Sequence, residues 1–270
     1  TLFVPYIIWN FVAFIILLIQ VHPKVIRFFP LLKDYRVDIV SFLSSFWVTN
    51  LPIRMSGPAN PINTPLWFIR DLMVLVLLSP IIWWLIKKTK MTIVITLGIV
   101  WFFLLGQYIG FPGLCHQSLF FFPLGAYFGI NRLNFVEMAR KCTWMPFIYF
   151  VLAFTDALLT NEPYKHFVHN SEILLGMITF VFLASSLLEK EKIHVNTFLA
   201  GASFFVYALH NLFLGKVTKF FVICVRPESP ILVLLIYFVM PAMAILLCLG
   251  LYKLIYQRFP HFASALTGGR

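Results

Sequence analysis

Between Leu66 and Ile86 the chain holds about twenty residues with only two charges among them, enough at ~1.5 Å per residue to cross a bilayer as one helix. Turn chemistry precedes the run. Thr64 is the expected N-cap and Pro65 the expected first helical residue, while Lys87 and Lys88 end the apolar stretch. The two charges are Arg70 and Asp71. With Trp67 they fall at i, i+3 and i+4, on one helical face about one turn inside the span. Charged groups at such depth face a protein interior or a wet cavity, or else snorkel back to the interface. Both readings stand for Arg70 at this point, with Trp67 a member of an interfacial aromatic belt in the second.

The same kind of run recurs along the chain. Spans are expected at Leu2–Val21, Leu66–Ile86, Met91–Phe111, Leu114–Ile130, Trp144–Leu159, Glu172–Leu188, from Thr197 past Leu214 to an exit marked by Lys216 and Lys219, and at Ile231–Tyr256. The long connection His22–Thr64 carries a half-apolar segment, Asp38–Leu51, too short to span and expected as an interfacial or re-entrant helix. Thr160–Ser171 reads as a polar loop, and Gln257–Arg270 as a short tail. With 61% hydrophobic and 11% charged residues, against about 25% charged in ordinary domains, a soluble globular fold is excluded. The expected fold is an all-α polytopic membrane bundle forming one domain over residues 1–270, with about eight transmembrane helices.

A net charge of +11 would point to nucleic acid in a soluble chain. Here the Lys and Arg residues concentrate in short connections. Lys87–Lys90, Asn131–Thr143, Glu189–Asn196 and the tail from Lys253 hold 11 of them, while the short connections on the opposite side hold 4. The positive-inside rule explains that bias without a nucleic-acid partner. It places both ends of the chain in the cytoplasm and the Trp67/Arg70/Asp71 end of its span outward. The four cysteines, Cys115, Cys142, Cys224 and Cys248, show no metal spacing and read as packing residues, with a Cys115–Cys224 bridge as the alternative. The first residue is Thr1, already inside an apolar run, so a longer protein is expected, with the residues here N-terminally incomplete.

A second polar stripe lies in Gly201–Leu214. Ser203, Tyr207, His210 and Asn211 sit at i, i+4, i+7 and i+8, one helical face. Polar groups in hydrocarbon need partners, so the stripe is either a seam between helices or the wall of a pocket. An imidazole can take a proton from a hydroxyl, which acyl transfer to an alcohol requires. His116 reads as interfacial, Asp156 as reaching water, Asn10 as a helix–helix contact, and His166 and His169 as loop residues without partner spacing. No nucleophile elbow, zinc signature, P-loop or dinucleotide fingerprint is present, which leaves covalent serine and metal catalysis without support.

Four stretches in order resemble the acyltransferase family 3 membrane proteins, which O-acylate bacterial surface polysaccharides and other extracytoplasmic acceptors. They are Leu2–Trp9 (LFVPYIIW), Pro65–Pro80 (PLWFIRDLMVLVLLSP), Phe120–Arg132 (FFFPLGAYFGINR) and Ser203–Asn211 (SFFVYALHN). The resemblance implies a fold of about ten membrane helices. The first two would be missing here, together with the family's proposed catalytic Arg and His and an arginine pair. No catalytic residue is therefore assigned within the chain. Trp67, Arg70, Asp71, Ser203, Tyr207, His210 and Asn211 form the candidate pocket.

The resemblance further implies an acyl-CoA donor, acetyl-CoA in the simplest case, and a hydroxyl acceptor on a surface or lipid-linked glycan. It implies no bound cofactor and no metal. Membrane lipid is the expected surrounding partner, and the bacterial inner membrane the expected location. The competing class is a transporter or flippase with Arg70, Asp71 and His210 along a permeation path. Transporters commonly show repeat-related halves and paired interrupted spans, neither of which is visible in the sequence.

Overall fold

The computed structural model describes residues 2–29, 32, 37–49, 60–103, 111–159 and 164–269. Among them the chain is helical throughout, with no strand. Helices occupy all eight expected span positions: α1 (Phe3–Val21), α3 (Trp67–Leu77) with α4 (Ser79–Thr89), α5 (Met91–Phe103), α6 (His116–Ile130), α8 (Met145–Leu158), α9 (Lys165–Glu189), α10 (Thr197–Val225) and α11 (Pro230–Arg258). Short helices α2 (Ile39–Ser45), α7 (Phe135–Arg140) and α12 (Pro260–Thr267) complete the set. Four of these, α1, α9, α10 and α11, are long and apolar enough to cross a membrane unaided. The described parts of α5 and α8 are shorter; the expected continuation of α5 in residues 104–110, and residues 160–163 of the expected polar loop, lie outside the described residues.

Several expectations are corrected. The span Leu66–Ile86 is not one straight helix. It breaks at Leu78, and its halves diverge by 65°. Pro80 sits in the first turn of α4, lacks an N–H for the α3 ladder and disfavours helical geometry at the residue before it. The helix start also differs, because Thr64–Leu66 forms a 3-10 turn whose N-cap is Asn63 rather than Thr64. Residues 165–171 of the expected polar loop are helical. They are held by tertiary contacts: Asn170 Nδ2 donates to the Phe102 carbonyl at 3.2 Å, and the Phe167 ring lies 5.8 Å from those of Phe102 and Phe103. Helix α10 continues past the expected span exit at Lys216 and Lys219 to Val225, and Lys216 donates to the Leu212 carbonyl of its own helix at 3.1 Å. None of the four cysteines forms a disulfide, which removes the Cys115–Cys224 bridge.

The chain divides into two compact units. The first comprises Thr1–Val74, Phe111–Gly113 and Asn196–Arg270. Its core joins Tyr6, Trp9 and Ala13 of α1 to Leu66 and Ile69, to Phe205, Ala208 and Leu212 of α10, and to Tyr252 of α11. The expected tail closes this core instead of trailing from it. Pro260 starts α12, Gly268 ends it in the left-handed region (φ 76°), and Ala263 and Leu266 are buried. Trp9 Nε1 donates to the Leu266 carbonyl at 3.0 Å, pinning α12 to α1. Within the Asp38–Leu51 segment, Asp38 caps α2 by accepting from the Ser41 N–H at 2.6 Å.

The second unit comprises Leu75–Gly110 and Leu114–Val195. Trp101 stacks on Phe120 with ring centroids 5.3 Å apart, which sets the C-terminal end of α5 against the N-terminal half of α6. Helices α8 and α9 approach closely at Gly176, where a Cβ would stand 2.9 Å from Cε2 of Tyr149.

Candidate functional site

The polar side chains that meet in the first unit come from three separate stretches. Helix α1 supplies Tyr6 and Asn10, the turn before α3 supplies Asn63, and the N-terminal half of α3 supplies Arg70 and Asp71; all five are buried. Asn10 Nδ2 donates to the Tyr6 carbonyl at 2.9 Å, and its Oδ1 accepts the Asn63 N–H at 3.2 Å. Asn63 Nδ2 reaches α10, donating to the Ala208 carbonyl at 2.9 Å. Its Oδ1 is buried and has no hydrogen-bond partner among the described residues. Two asparagines thus fasten α1, the entry to α3 and α10 together; Asn10, expected as a helix–helix contact, meets the turn at Asn63, and Asn63 makes the bond to α10.

Arg70 does not snorkel; it is 2% exposed. Its Nε and Nη2 donate to Oδ1 of the adjacent Asp71 at 3.2 and 3.0 Å, and Nη1 donates to the Trp47 carbonyl at 2.6 Å. The guanidinium carbon lies 5.4 Å from the centroid of the Trp47 ring, so carbonyl and π face converge on one cation. The Tyr6 hydroxyl donates to the Phe46 carbonyl, and Tyr6 is within electrostatic reach of both Arg70 and Asp71. The neighbouring turn is shaped for the indole. Gly113 sits at φ +103°, and a Cβ there would stand 2.8 Å from Cζ2 of Trp47.

Sequence reasoning missed Trp47. Its number lies in a segment read only as half-apolar, and nothing in local spacing ties it to a residue 23 positions on. Trp67, which shares the expected face, is half-buried and packs edge-on with Phe68 at 6.1 Å.

The stripe on α10 is only partly drawn in. The Tyr207 hydroxyl donates to the Pro65 carbonyl, joining α10 to the entry of α3. Ser203 donates to the Ala200 carbonyl of its own helix at 2.7 Å and is exposed, as is Asn211. His210 Nδ1 stands 2.9 Å from the Val206 carbonyl, which can only accept; the proton of a neutral ring then sits on Nδ1 and the lone pair on Nε2. The buried face of α10 is the apolar one, Ala202, Phe205, Ala208 and Leu212.

In the second unit His169 has the partners that its expected loop setting denied it. Its Nδ1 is 3.1 Å from Oδ2 of Asp156 on α8 and 3.8 Å from Oε2 of Glu172, one turn along α9. One ligand atom from each of the three lies within 4.8 Å of the others, although His169 is 54% exposed. Asp156 is therefore engaged by α9 and not simply directed to water.

A family profile described as an acyltransferase domain matches residues 1–253. The chain belongs to that family, acyltransferase family 3. No curated protein and no solved structure matches it. Membership selects between the two classes left open by the sequence: this acyltransferase is a multi-pass membrane protein of the general transferase kind, and the buried charges belong to a transferase fold. The Arg70–Asp71 pair falls inside the matched residues, as does the α10 stripe.

Proposed function

We propose that the protein is an O-acyltransferase of the cell membrane that moves an acyl group, acetyl in the simplest case, from acyl-CoA to a sugar hydroxyl. The acceptor is a surface polysaccharide or a lipid-linked glycan. The observation that supports the transferase chemistry is the family match over residues 1–253. In the reaction the acceptor oxygen attacks the thioester carbonyl, the hydroxyl proton passes to a base, and the CoA thiolate leaves and is reprotonated. Among the described residues no side chain is assigned as that base.

Arg70, Asp71 and Tyr6, buried with Trp47 beside them, brace the outward end of α3 and in this reading set the shape of the pocket wall against which a hydroxylated acceptor is oriented. Trp67 and the α10 residues Ser203, Tyr207, His210 and Asn211 line the same pocket in this reading. Its orientation follows the loop charges, with both chain ends and Lys87–Lys90 cytoplasmic.

Incorporation of radiolabelled acetyl-CoA into surface glycan tests the reaction against substrate uptake by vesicles, which a transporter would show. Labelling of a cysteine placed at Lys88 by an impermeant reagent in intact cells tests the orientation. The residue is expected to remain unlabelled until the membrane is opened.

A further inference from the structure

Along α5 the second unit carries an open groove of about 310 Å³ whose walls are apolar. Val94, Gly98 and Phe120 line it together with Leu174 of α9, between Met91 and Phe103 along α5. Helix α5 covers ~20 Å at 1.5 Å per residue, and one leaflet of a bilayer core is about 15 Å deep, so the groove is long enough for one lipid tail. The α9 residues Phe167 and Asn170 contact Phe102, which sets the start of α9 at the far end of α5. The C-terminal end of α9 therefore lies toward the Met91 end.

That end is basic. Lys87, Lys88 and Lys90 immediately precede Met91, and all three are exposed. The Lys88 ammonium stands 5.0 Å over the Trp84 ring, an aromatic placed as an interfacial anchor is. Of the acidic groups on this side of the unit, Glu189 is already engaged by Arg140 across α7 and α9, Glu137 accepts from its own cap residue Asn134 at 2.8 Å, and Glu191 is exposed just beyond α9. Lys90 adds a second signal. It closes α4 at φ 55°, ψ −130°, where a glycine would be unstrained, so a charged side chain stands at a position that local geometry does not favour.

We propose that this groove is a site for one acidic glycerophospholipid, with an acyl chain along α5 and its phosphate-bearing head group on Lys87, Lys88 and Lys90. The apolar walls take the tail, and the lysines select a negative head over a zwitterionic one. The site is separate from the acyl-transfer reading and does not depend on it.

The test is native mass spectrometry of the purified full-length protein, offered phosphatidylglycerol or phosphatidylcholine in equal amounts, with three variants. The wild type should retain phosphatidylglycerol preferentially, and added salt should weaken the preference. Replacing the three lysines by Gln should reduce it on the order of 100-fold, at about fivefold per lysine. Ile99→Trp, which fills the groove, should lower retention of both lipids alike. Lys90→Gly should relieve the turn, raising thermal stability without lipid while lowering the phosphatidylglycerol preference. Equal retention of the two lipids by the wild type, an unchanged preference in the lysine variant, or full retention by Ile99→Trp with a wild-type melting profile would each overturn the site. Retention of a long-chain acyl-CoA in place of phosphatidylglycerol would overturn the assigned occupant.

Discussion

Removing one member of the Arg70–Asp71 pair is the sharpest perturbation this structure offers. The Nη2–Oδ1 separation of 3.0 Å corresponds to a gross attraction of roughly 5–6 kcal/mol at an effective dielectric of ~20. Most of that is offset by the cost of drying both groups, which are 3% and 0% exposed. The net value of the pair is therefore small, but the two halves are not separately tolerable. Arg70→Met leaves the Asp71 carboxylate buried without the Arg70 cation, and it strips the Trp47 carbonyl of a donor. The expected loss is about 3–5 kcal/mol, a fall in melting midpoint on the order of 10 °C for a protein this size. Asp71→Leu leaves an unneutralised guanidinium and should cost a similar amount. The double variant Arg70→Met/Asp71→Leu removes both charges together, so that no uncompensated ion stays buried, and it should recover more than half of either single loss. The assay is thermal unfolding of detergent-solubilised protein followed by size-exclusion fluorescence, run with acyl-transfer activity on the same samples. If the double variant melts no higher than the worse single variant, the two charges are not coupled and the argument fails. If Arg70→Lys matches the wild type in both stability and activity, charge alone suffices and the fork geometry toward Asp71 and Trp47 is irrelevant.

Three further outcomes are expected. Gly113→Ala should destabilise by about 1–3 kcal/mol, because it combines φ +103° with a Cβ 2.8 Å from Trp47; a melting midpoint equal to that of the wild type would show that the indole yields freely. Asp38, which lies outside the spans, has its carboxyl held below the usual range by the backbone N–H of Ser41. A lowered folded-state pKa stabilises above the ordinary carboxylate range and is lost as pH falls through the folded value. Intrinsic-rate-corrected hydrogen exchange over residues 39–45 should therefore quicken on acidification in the wild type but not in Asp38→Asn, and parallel pH profiles would refute the cap. His210→Gln should keep substantial transfer activity, since the imidazole Nδ1 is already occupied by the Val206 carbonyl; complete loss in a normally folded variant would make Nε2 the candidate base.

The helical class, the positions of the eight apolar runs and the presence of a buried-looking charge pair were legible in the sequence, because length, hydropathy and the 3.6-residue period are local properties. Where helices break was not legible. Pro80, Pro123 and Pro241 look alike in the sequence, yet α6 and α11 continue through Pro123 and Pro241 while the chain bends by 65° ahead of Pro80. The helicity of residues 165–171 depends on Phe102 and Phe103, some sixty residues earlier, and the burial of α12 on Trp9, at the opposite end of the chain. The site divides in the same way. Spacing placed Arg70 and Asp71 inside a span, but it grouped them with Trp67 on one helical face. Among the partners that hold the guanidinium are Asp71, its neighbour in sequence, and Trp47, from a segment with no periodic signal. The α10 stripe shows the converse, since a shared face in sequence became two back-bonded residues, one cross-helix phenol and one exposed amide. A sequence fixes which groups cannot be left alone in hydrocarbon. Which neighbours answer them is decided only when distant segments pack, because a hydrogen bond needs a partner within about 3 Å and the chain order does not record that distance.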